Sequence, residues 1–202
     1  MEKTTFYVVS YGGSGSYMIM RYLQSLNYKV FHIHSRNRPK KLVHVGGKNS
    51  NGTPIYFEWF NDIIIPENEV SNFKVIFVYR DPVKAIYSRY NNPRHLKNIQ
   101  CINTNTKIKD VIETKKDLYG IEEFFDNYAS SAPKNYKIFF VKYEEFFKKI
   151  PEFNKTMDIP NIPQKYPKEN VTKRDLIYYK ELQVIYKPLI DKMNKFNFIE
   201  VI

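Results

Sequence analysis

The sequence predicts an α/β fold: a three-layer sandwich in which helices cover both faces of a mostly parallel central sheet. Short runs rich in β-branched and aromatic residues alternate along the chain with segments of helical periodicity. Strands that are separated by helices favour a parallel sheet, because each crossover packs its helix onto a sheet face. The strands are predicted at Thr5–Tyr11, Tyr28–Ile33, Lys74–Tyr79 and Lys137–Lys142.

The amino-terminal elements follow one another closely. Thr5–Tyr11 is an apolar run that ends at two glycines, as expected of a buried strand that enters a tight turn. Ser16–Leu26 then places apolar side chains at helical spacing, and Tyr28–Ile33 is the second strand. Residues 35–53 are first basic and then rich in Gly and Asn, which is typical of a loop or a lid.

The strongest strand is Lys74–Tyr79, which follows a separate apolar segment, Pro54–Phe60. Asp81 and Pro82 have the residue types of an N-cap and a first helical position, so a helix is expected to begin there. Residues 158–168 contain three prolines and are predicted to be a loop. Further helices are predicted at Ile108–Tyr119, Ile121–Tyr128 after a break at Gly120, and Thr172–Phe196 with a kink or split at Pro188.

Length and composition favour one domain over residues 1–202, long enough to bury a core without metal or disulfide support. The single cysteine, Cys101, excludes an intrachain disulfide and favours a reducing compartment. No stretch of about 18 apolar residues and no signal-like amino terminus is seen, so a soluble, cytoplasmic protein without a membrane span is expected.

The net charge of +11 has two interpretations. It fits an anionic ligand or partner, such as a nucleotide, an acidic glycan or nucleic acid. It also fits compositional bias, because only seven of the 32 basic residues are arginine and the chain is rich in Asn, Ile and Tyr. We favour bias as the main source, so only cations at particular positions argue for a ligand, and nucleic acid is not expected as a partner.

The first motif that carries chemistry is the sequence YGGSGSY, from Tyr11 to Tyr17, between a strand and a helix. Glycines allow successive backbone N–H groups to point into one concavity, and the helix N-terminus adds its positive dipole end. Such a loop binds phosphate or sulfate; the other reading is an ordinary glycine-rich turn of an α/β protein. It is not a Walker A motif, because Gly15 is followed by Ser16 and Tyr17 and the lysine is absent.

The second motif is YRDPVKAIYSRY, from Tyr79 to Tyr90. Arg80 leaves the end of the strongest strand, and Ser88 lies eight residues later in the following helix. A guanidinium and a hydroxyl can together hold a second phosphate. Alternatively, Arg80 pairs with a carboxylate that holds a strand-to-helix loop.

Together the two motifs resemble those of the sulfotransferases that use 3′-phosphoadenosine 5′-phosphosulfate (PAPS). Their first loop is similar to Y-P-K-S-G-T-T-W, and their second motif is similar to R-N-P-x-D-x-x-x-S. The resemblance runs from residue 5 to about 196, and is weak in the middle and over 150–172. The matching residues are Tyr11, Ser14, Gly15 and Ser16 in the first motif and Arg80, Pro82 and Ser88 in the second.

The resemblance implies a P-loop-type sandwich and assigns nucleotide-binding roles. The loop would hold the 5′-phosphosulfate, and Arg80 with Ser88 would hold the 3′-phosphate. Tyr143, in a segment VKYEEF similar to the family's Y-E-D/E, would lie beside the adenine, as would Met18 where a Trp is common. The implied nucleotide-binding residues are Gly12, Gly13, Ser14, Gly15, Ser16, Tyr17, Met18, Arg80, Ser88 and Tyr143.

The chain departs from this pattern at the loop lysine, which balances charge on the bridging oxygen and falls here on Gly13. Some carbohydrate-type relatives also have Gly there and an Arg in the next turn, where this chain has Arg21. Since lysine is the family's residue, Gly13→Lys is expected to be tolerated. The late R-K-G loop that touches the 3′-phosphate has no clear counterpart; its candidates are Lys165, Lys168, Lys173 and Arg174.

The general base implied by the resemblance lies 22 residues before Arg80, at Glu58. Its aromatic neighbours would raise its pKa; the other reading is a surface Glu on an edge strand. His32, His34 and His44 are rivals for the role.

The implied reaction transfers a sulfuryl group from PAPS to a hydroxyl or amine of a small molecule or carbohydrate, leaving 3′-phosphoadenosine 5′-phosphate (PAP). In this scheme Ser16 donates to the phosphosulfate and Glu58 takes the acceptor's proton, without a metal. The alternatives are an inactive nucleotide-binding module of the same fold, and a P-loop nucleotide kinase.

Overall fold

A computed structural model describes residues 4–39, 72–90, 106–160 and 177–202, together with the backbone of 42–43 and 63–64. Its strands are β1 (Thr5–Val9), β2 (Lys29–Ile33), β3 (Leu42–Val43), β4 (Ile63–Ile64), β5 (Phe73–Tyr79), β6 (Ile138–Lys142) and β7 (Ile199–Val201). Its helices are α1 (Ser16–Ser25), α2 (Pro82–Tyr90), α3 (Ile108–Thr114), α4 (Ile121–Ala129), α5 (Tyr143–Phe146), α6 (Ile150–Thr156), α7 (Tyr179–Ile185) and α8 (Lys187–Asn194).

The central sheet has five strands in the order β2-β1-β5-β6-β7. Every neighbouring pair is parallel except β6 and β7, which are antiparallel. In the β1 register, Val9 lies opposite Ile33 of β2 and Phe77 of β5. The chain segments that leave β1, β2 and β5 therefore emerge at the same edge of the sheet, which is where ligands bind in open parallel sheets.

Alternate residues of the sheet enter two separate cores. Tyr7 and Val9 of β1 belong to a cluster with side chains of α2, α3, α4, α7 and α8. Phe6 and Val8 point to the other face and pack with side chains of α1, α5 and α6. This alternation follows from the two-residue period of a strand, and it confirms the predicted three-layer α/β fold with a mostly parallel sheet.

An aromatic cluster holds α4 against the middle of the sheet. The ring of Phe77, in β5, lies 4.8 Å from that of Tyr128 and 4.8 Å from that of Phe140, between ring centroids. Phe124 and Phe125 of α4 lie 5.9 and 5.8 Å from the same ring. These side chains are buried and packed against one another. They therefore fix the position of β5 relative to α4, and with it the position of Arg80 just beyond β5.

The predicted helix Ile108–Tyr119 is wrong at its end, because α3 stops at Thr114. Lys115 adopts a left-handed conformation with φ 53°, which ends the helix before the predicted break at Gly120. In the turn that follows, Asp117 accepts hydrogen bonds from the amide of Glu122 (2.9 Å) and the hydroxyl of Tyr186 (2.7 Å). Burial raises the pKa of the Asp117 carboxyl.

The split at Pro188 is confirmed, since α7 ends at Ile185 and α8 begins at Lys187 with proline in its first turn. No sequence pattern had indicated α5, α6 or β7. The apolar segment 54–60 lies outside the described residues. In the part of the chain that the structure describes, no helix is both long and apolar enough to cross a membrane.

Candidate nucleotide-binding site

The loop between β1 and α1 has a backbone path that depends on glycine. Gly12, Gly13 and Gly15 have φ values of 98°, 66° and 83°, all in the left-handed region that side chains disfavour. Gly15 also takes the N-cap position of α1, where it offers no side-chain hydrogen bond to the first-turn amides. Those amides, at the positive end of a ten-residue helix, face the carboxyl edge of the sheet and suit an anion.

Three groups from other parts of the chain press against these glycines. A Cβ added to Gly12 would lie 1.9 Å from Nη2 of Arg89, and one added to Gly13 would lie 2.4 Å from the carbonyl oxygen of Ala85. A Cβ added to Gly15 would lie 2.1 Å from the ring of Tyr143. Helix α2 and the start of α5 therefore form the walls against which the loop is packed.

Arg80 joins the second motif to the first. Its Nη1 donates to the carbonyl oxygen of Gly13 at 3.2 Å, and its guanidinium carbon lies 5.2 Å from the centre of the Tyr143 ring. Its Nε–H is buried and has no hydrogen-bond partner among the described residues. Ser88 is also at the loop, because a Cβ at Gly13 would meet its Cβ at 3.1 Å.

The alternative role for Arg80 is an ion pair with a carboxylate, and the structure contains only a long pair of this kind. Glu144 Oε1 lies 3.9 Å from Arg80 Nε, beyond hydrogen-bond range. That oxygen instead accepts from the amide of Asp81 at 2.9 Å. Asp81 also caps α2 as predicted, with Oδ1 accepting from the amide of Lys84 at 3.0 Å. The guanidinium of Arg80 therefore keeps a donor available at the mouth of the loop.

Beneath the loop, two serines and two histidines form a connected cluster. Ser10 Oγ accepts from the amide of Gly12 at 3.1 Å and lies 2.8 Å from Ser16 Oγ. Ser16 Oγ in turn lies 2.8 Å from His32 Nε2. His34 Nδ1 lies 2.8 Å from the carbonyl oxygen of Ser10, so it must carry the proton and donate.

The direction of these hydrogen bonds follows from counting protons. If His32 is neutral with a bare Nε2, Ser16 donates to it, Ser10 donates to Ser16, and Gly12 donates to Ser10. In the reverse direction the Ser10 hydroxyl proton has no acceptor in this group, because His34 Nδ1 already holds a proton. The first arrangement satisfies every group, and its bonds reinforce one another.

The ionisation of His32 agrees with this direction. Burial, followed by the positive charge of Arg89, lowers the pKa of His32 from 6.5 to about 4. The imidazole is therefore neutral at physiological pH and accepts the Ser16 proton. His34 lies just after β2, and its ring meets that of His32 edge to face with centroids 4.9 Å apart, so both histidines support the loop from beneath.

Comparison with known families matches the sulfotransferase domain to residues 61–184, more than half of the chain. The chain belongs to the sulfotransferase domain family. No curated protein and no solved structure matches it. The matched range includes Arg80, Ser88 and Tyr143, whereas the glycine loop precedes it. The sheet nonetheless unites them, because β1 pairs with β5.

The structure therefore brings together the residues of both sequence motifs, with Tyr143 between them. Tyr17 is 57% exposed and Met18 half-buried in the first turn of α1. Arg21 is exposed one turn further along. Several candidates lie outside the described residues: Glu58, His44, Lys165, Lys168, Lys173 and Arg174.

Two residues of the site, Ser10 and Arg89, belong to neither sequence prediction of the site. Ser10 immediately follows β1, and Arg89 follows Ser88, so each adjoins a motif that was recognised. Nothing in their local patterns indicates that both side chains turn inward under the loop. Among the described residues, no group of three or more His, Cys, Asp or Glu side chains could hold a metal ion.

The expectation that lysine would be tolerated at Gly13 is corrected by this packing. A Cβ there would meet the backbone oxygen of Ala85 at 2.4 Å, in addition to the cost of φ 66°. We expect Gly13→Lys to weaken nucleotide binding by about 5- to 150-fold, because the loop can form only at the cost of a backbone strain of about 1–3 kcal/mol. Isothermal titration with PAP measures this, with Lys84→Arg on the exposed face of α2 as control. Unchanged affinity would show that α2 yields to the side chain.

Neutral His32 predicts a pH dependence of stability. Its folded pKa is about 4 against 6.5 unfolded, so the unfolded chain binds the proton more readily. The stabilisation is complete above the unfolded pKa and is lost as pH falls toward 4, at up to about 1.4 kcal/mol per pH unit. His32→Gln keeps an acceptor for Ser16 but cannot titrate, so its unfolding free energy should fall less steeply in this window. Urea unfolding of both proteins tests this; parallel curves would contradict it.

Proposed function

We propose that this protein is a PAPS-dependent sulfotransferase, which transfers a sulfuryl group to a hydroxyl or amine of a small molecule or carbohydrate. The observation that carries the proposal is the meeting of the two anion-binding motifs, with Arg80 bonded to the loop carbonyl of Gly13 and Ser88 beside it. Either motif alone has an ordinary structural explanation. Together they offer donors for two separate phosphates, as a nucleotide phosphorylated at both 3′ and 5′ positions requires.

The residues present fit such a nucleotide. The loop is a cradle without side chains at three positions, so its backbone can approach a phosphosulfate closely. The buried Nε–H of Arg80 has no hydrogen-bond partner among the described residues, and an anion at the loop mouth would satisfy it. The Tyr143 ring packs on Gly15 and under Arg80, and in the proposal the adenine meets the 8% of this residue that stays exposed.

PAPS would supply the sulfuryl group, and the residues of this chain would bind and orient it. In the proposed site the amides from Gly13 to Tyr17 hold the 5′-phosphosulfate, and Ser14 and Gly15 belong to this cradle, while Gly12 lets the backbone turn beneath it. Arg80 and Ser88 hold the 3′-phosphate, while Met18 and Tyr143 flank the adenine. Because the loop is rigidly packed before any ligand binds, little ordering entropy is lost on binding.

The single hydroxyl proton of Ser16 can be donated either to His32 or to the sulfuryl group, but not to both. Its Oγ is already bonded to Ser10 and His32 beneath the loop, and the residue is only 3% exposed. In our proposal the Ser16 amide contributes to the anion site. The Ser16 hydroxyl can donate to the sulfuryl group only if it gives up its hydrogen bond to His32. This exchange would break the hydrogen-bond chain only when the site is filled.

Glu58 remains our proposal for the general base, on the resemblance to the family alone. A base is required because the attacking hydroxyl must lose its proton as it bonds to sulfur. His32 is less suited to this role, because its Nε2 already accepts from Ser16. His34 stays a rival, because a hydrogen bond from its Nδ1 to the Ser10 carbonyl does not prevent its Nε2 from accepting a proton. His44 remains a rival.

We also propose that residues 1–202 act as one domain. The family match covers 61–184, yet β1 and the glycine loop before it share the same sheet and the same carboxyl edge. A nucleotide site built from Gly15 and Arg80 would thus need both parts of the chain.

Two alternatives make different predictions for ligand binding. An inactive module of this family would bind PAP but transfer nothing, and the absence of a loop lysine at Gly13 favours it. A P-loop nucleotide kinase would bind ATP with Mg²⁺, which the lack of a Walker lysine disfavours. Thermal unfolding with PAP, ATP and ATP–Mg²⁺ separates them. Selective stabilisation by PAP excludes the kinase, and transfer of labelled sulfate from PAPS over a panel of acceptors then distinguishes enzyme from module.

Arg80→Ala should weaken PAP binding by about 1.5–3 kcal/mol, the scale of a charge-assisted hydrogen bond. Binding of adenosine 5′-phosphosulfate, which lacks the 3′-phosphate, should change much less. Calorimetric titration of both ligands provides the measurement, and Arg36→Ala, an exposed arginine paired with Glu123, is a control of equal charge. Equal losses of affinity for the two ligands would contradict a role of Arg80 in binding the 3′-phosphate.

Glu58→Gln should lower turnover by roughly 10²–10⁴-fold, the usual contribution of general base catalysis. PAP affinity should hardly change, because the carboxylate would face the acceptor. Single-turnover sulfate transfer and PAP titration measure the two quantities separately. Glu113→Gln, on the exposed side of α3, is the matched control. Retained turnover in Glu58→Gln would transfer the assignment to His34 or His44.

A further inference from the structure

Arg89 is an unusual residue for its position at the end of α2. Among the residues that the structure describes, it is the only charged side chain in the buried set, with 2% of its surface exposed. Its Nη2 donates to the carbonyl oxygen of Tyr11 at 2.9 Å. Burying a guanidinium costs several kcal/mol, so a position of this kind usually has a specific charge-related reason.

The guanidinium lies directly against the anion loop. A Cβ added to Gly12 would come within 1.9, 2.1 and 2.2 Å of its Nη2, Cζ and Nε. Only a residue without a side chain at this place allows the cation to come so close to the loop backbone. The close contact between the guanidinium and the loop backbone therefore depends on two residues, Gly12 in the loop and Arg89 in the helix.

We propose that Arg89 supplies, from α2, the positive charge that the loop lacks at Gly13, and that it stabilises the anionic 5′ group of the nucleotide across Gly12. This inference rests on the proposed function, since it names the source of charge for the same site. Arg89 is in this sense a positioning residue: it acts through the loop backbone, which it holds, and through its field.

The burial of Arg89 is what makes its charge effective. A charge held in the protein interior acts through a lower dielectric and is screened less by salt than a surface charge. Burial, and after it the charge of Arg89, lowers the pKa of His32, which places the guanidinium within electrostatic range of the groups beneath the loop. Arg21, the cation suggested by carbohydrate-type relatives, is exposed and so is screened by solvent.

The proposal assigns the charge to the step where it is needed. As the bond from sulfur to the bridging oxygen breaks, the electron pair stays on that oxygen, while the acceptor oxygen bonds to sulfur and loses its proton to the base. Negative charge thus grows on the 5′-phosphate that the loop holds. A fixed positive charge close to the loop opposes this build-up at no cost of reorganisation.

The test compares Arg89→Gln, which removes the charge, with Arg89→Lys, which keeps it; both lose the planar guanidinium that Tyr11 binds. Three ligands are titrated: PAP, adenosine 5′-monophosphate and adenosine 3′-monophosphate. Arg89→Gln should weaken the two 5′-phosphorylated ligands by about 10- to 100-fold, the scale of a charge-assisted contact, and spare the 3′-monophosphate. Arg89→Lys should recover most of the loss, and Arg21→Gln is the charge-matched control.

The outcomes separate this proposal from the proposed function. If wild type binds PAP but Arg89→Gln binds the 5′ ligands equally well, or Arg89→Lys is as weak as Arg89→Gln, the role of Arg89 is refuted and the nucleotide site stands. If Arg89→Gln does not fold, Arg89→Lys alone decides, because a loss of more than about tenfold with the charge retained contradicts a role of charge.

If wild type does not bind PAP, the proposed function fails and inorganic pyrophosphate becomes the probe for the loop. Stabilisation of wild type and Arg89→Lys by pyrophosphate, with loss in Arg89→Gln, would uphold the charge role for an anion of another kind. Absence of any stabilisation in wild type would overturn both proposals.

Discussion

The close packing of the glycine loop against its neighbours is the constraint on which the rest of the site depends. Gly12, Gly13 and Gly15 each lack the one atom that would collide with Arg89, with the backbone at Ala85 or with Tyr143. Because α2 and α5 follow β5 and β6, this packing fixes three strand ends relative to one another. The first-turn amides of α1, the Arg80 guanidinium and the Tyr143 ring thus occupy fixed positions relative to one another.

A second constraint acts from beneath. The chain of hydrogen bonds from Gly12 through Ser10 and Ser16 ends on an imidazole that is kept neutral by burial and by a nearby cation. Two kinds of polar group, which would each be costly to bury alone, therefore satisfy each other. The loop is thus supported by hydrogen bonds from beneath and by steric contact at its sides.

Much of this architecture could be predicted from sequence, because the signals were local. Strand runs such as Lys74–Tyr79 and the Asp81-Pro82 helix start need only neighbouring residues for their interpretation, and both proved correct within a residue. The early end of α3 could not be foreseen, since it depends on Lys115 entering a conformation that lysine rarely adopts. Likewise β7 is only three residues long and is recognisable only by its pairing with β6.

In the candidate site, too, the residues with a local sequence signal could be predicted and the others could not. The loop and the Arg80–Ser88 pair were found because a fixed spacing carries them. Arg89 and Ser10 were missed because their roles arise from contacts between residues 78 and 24 positions apart, Arg89 with Tyr11 and Ser10 with His34. Long-range contacts of this kind leave no periodic pattern, so only the three-dimensional arrangement shows them.

The short strand β7 has a practical consequence for handling this protein. Ile202 and Ile138 exchange two backbone hydrogen bonds, of 2.9 and 3.0 Å, at the outer side of β6. Without residues 199–202, the amides and carbonyls of β6 would form an open sheet edge, which invites pairing with another molecule. Purification tags and truncations should therefore leave this segment intact, since its loss would favour aggregation.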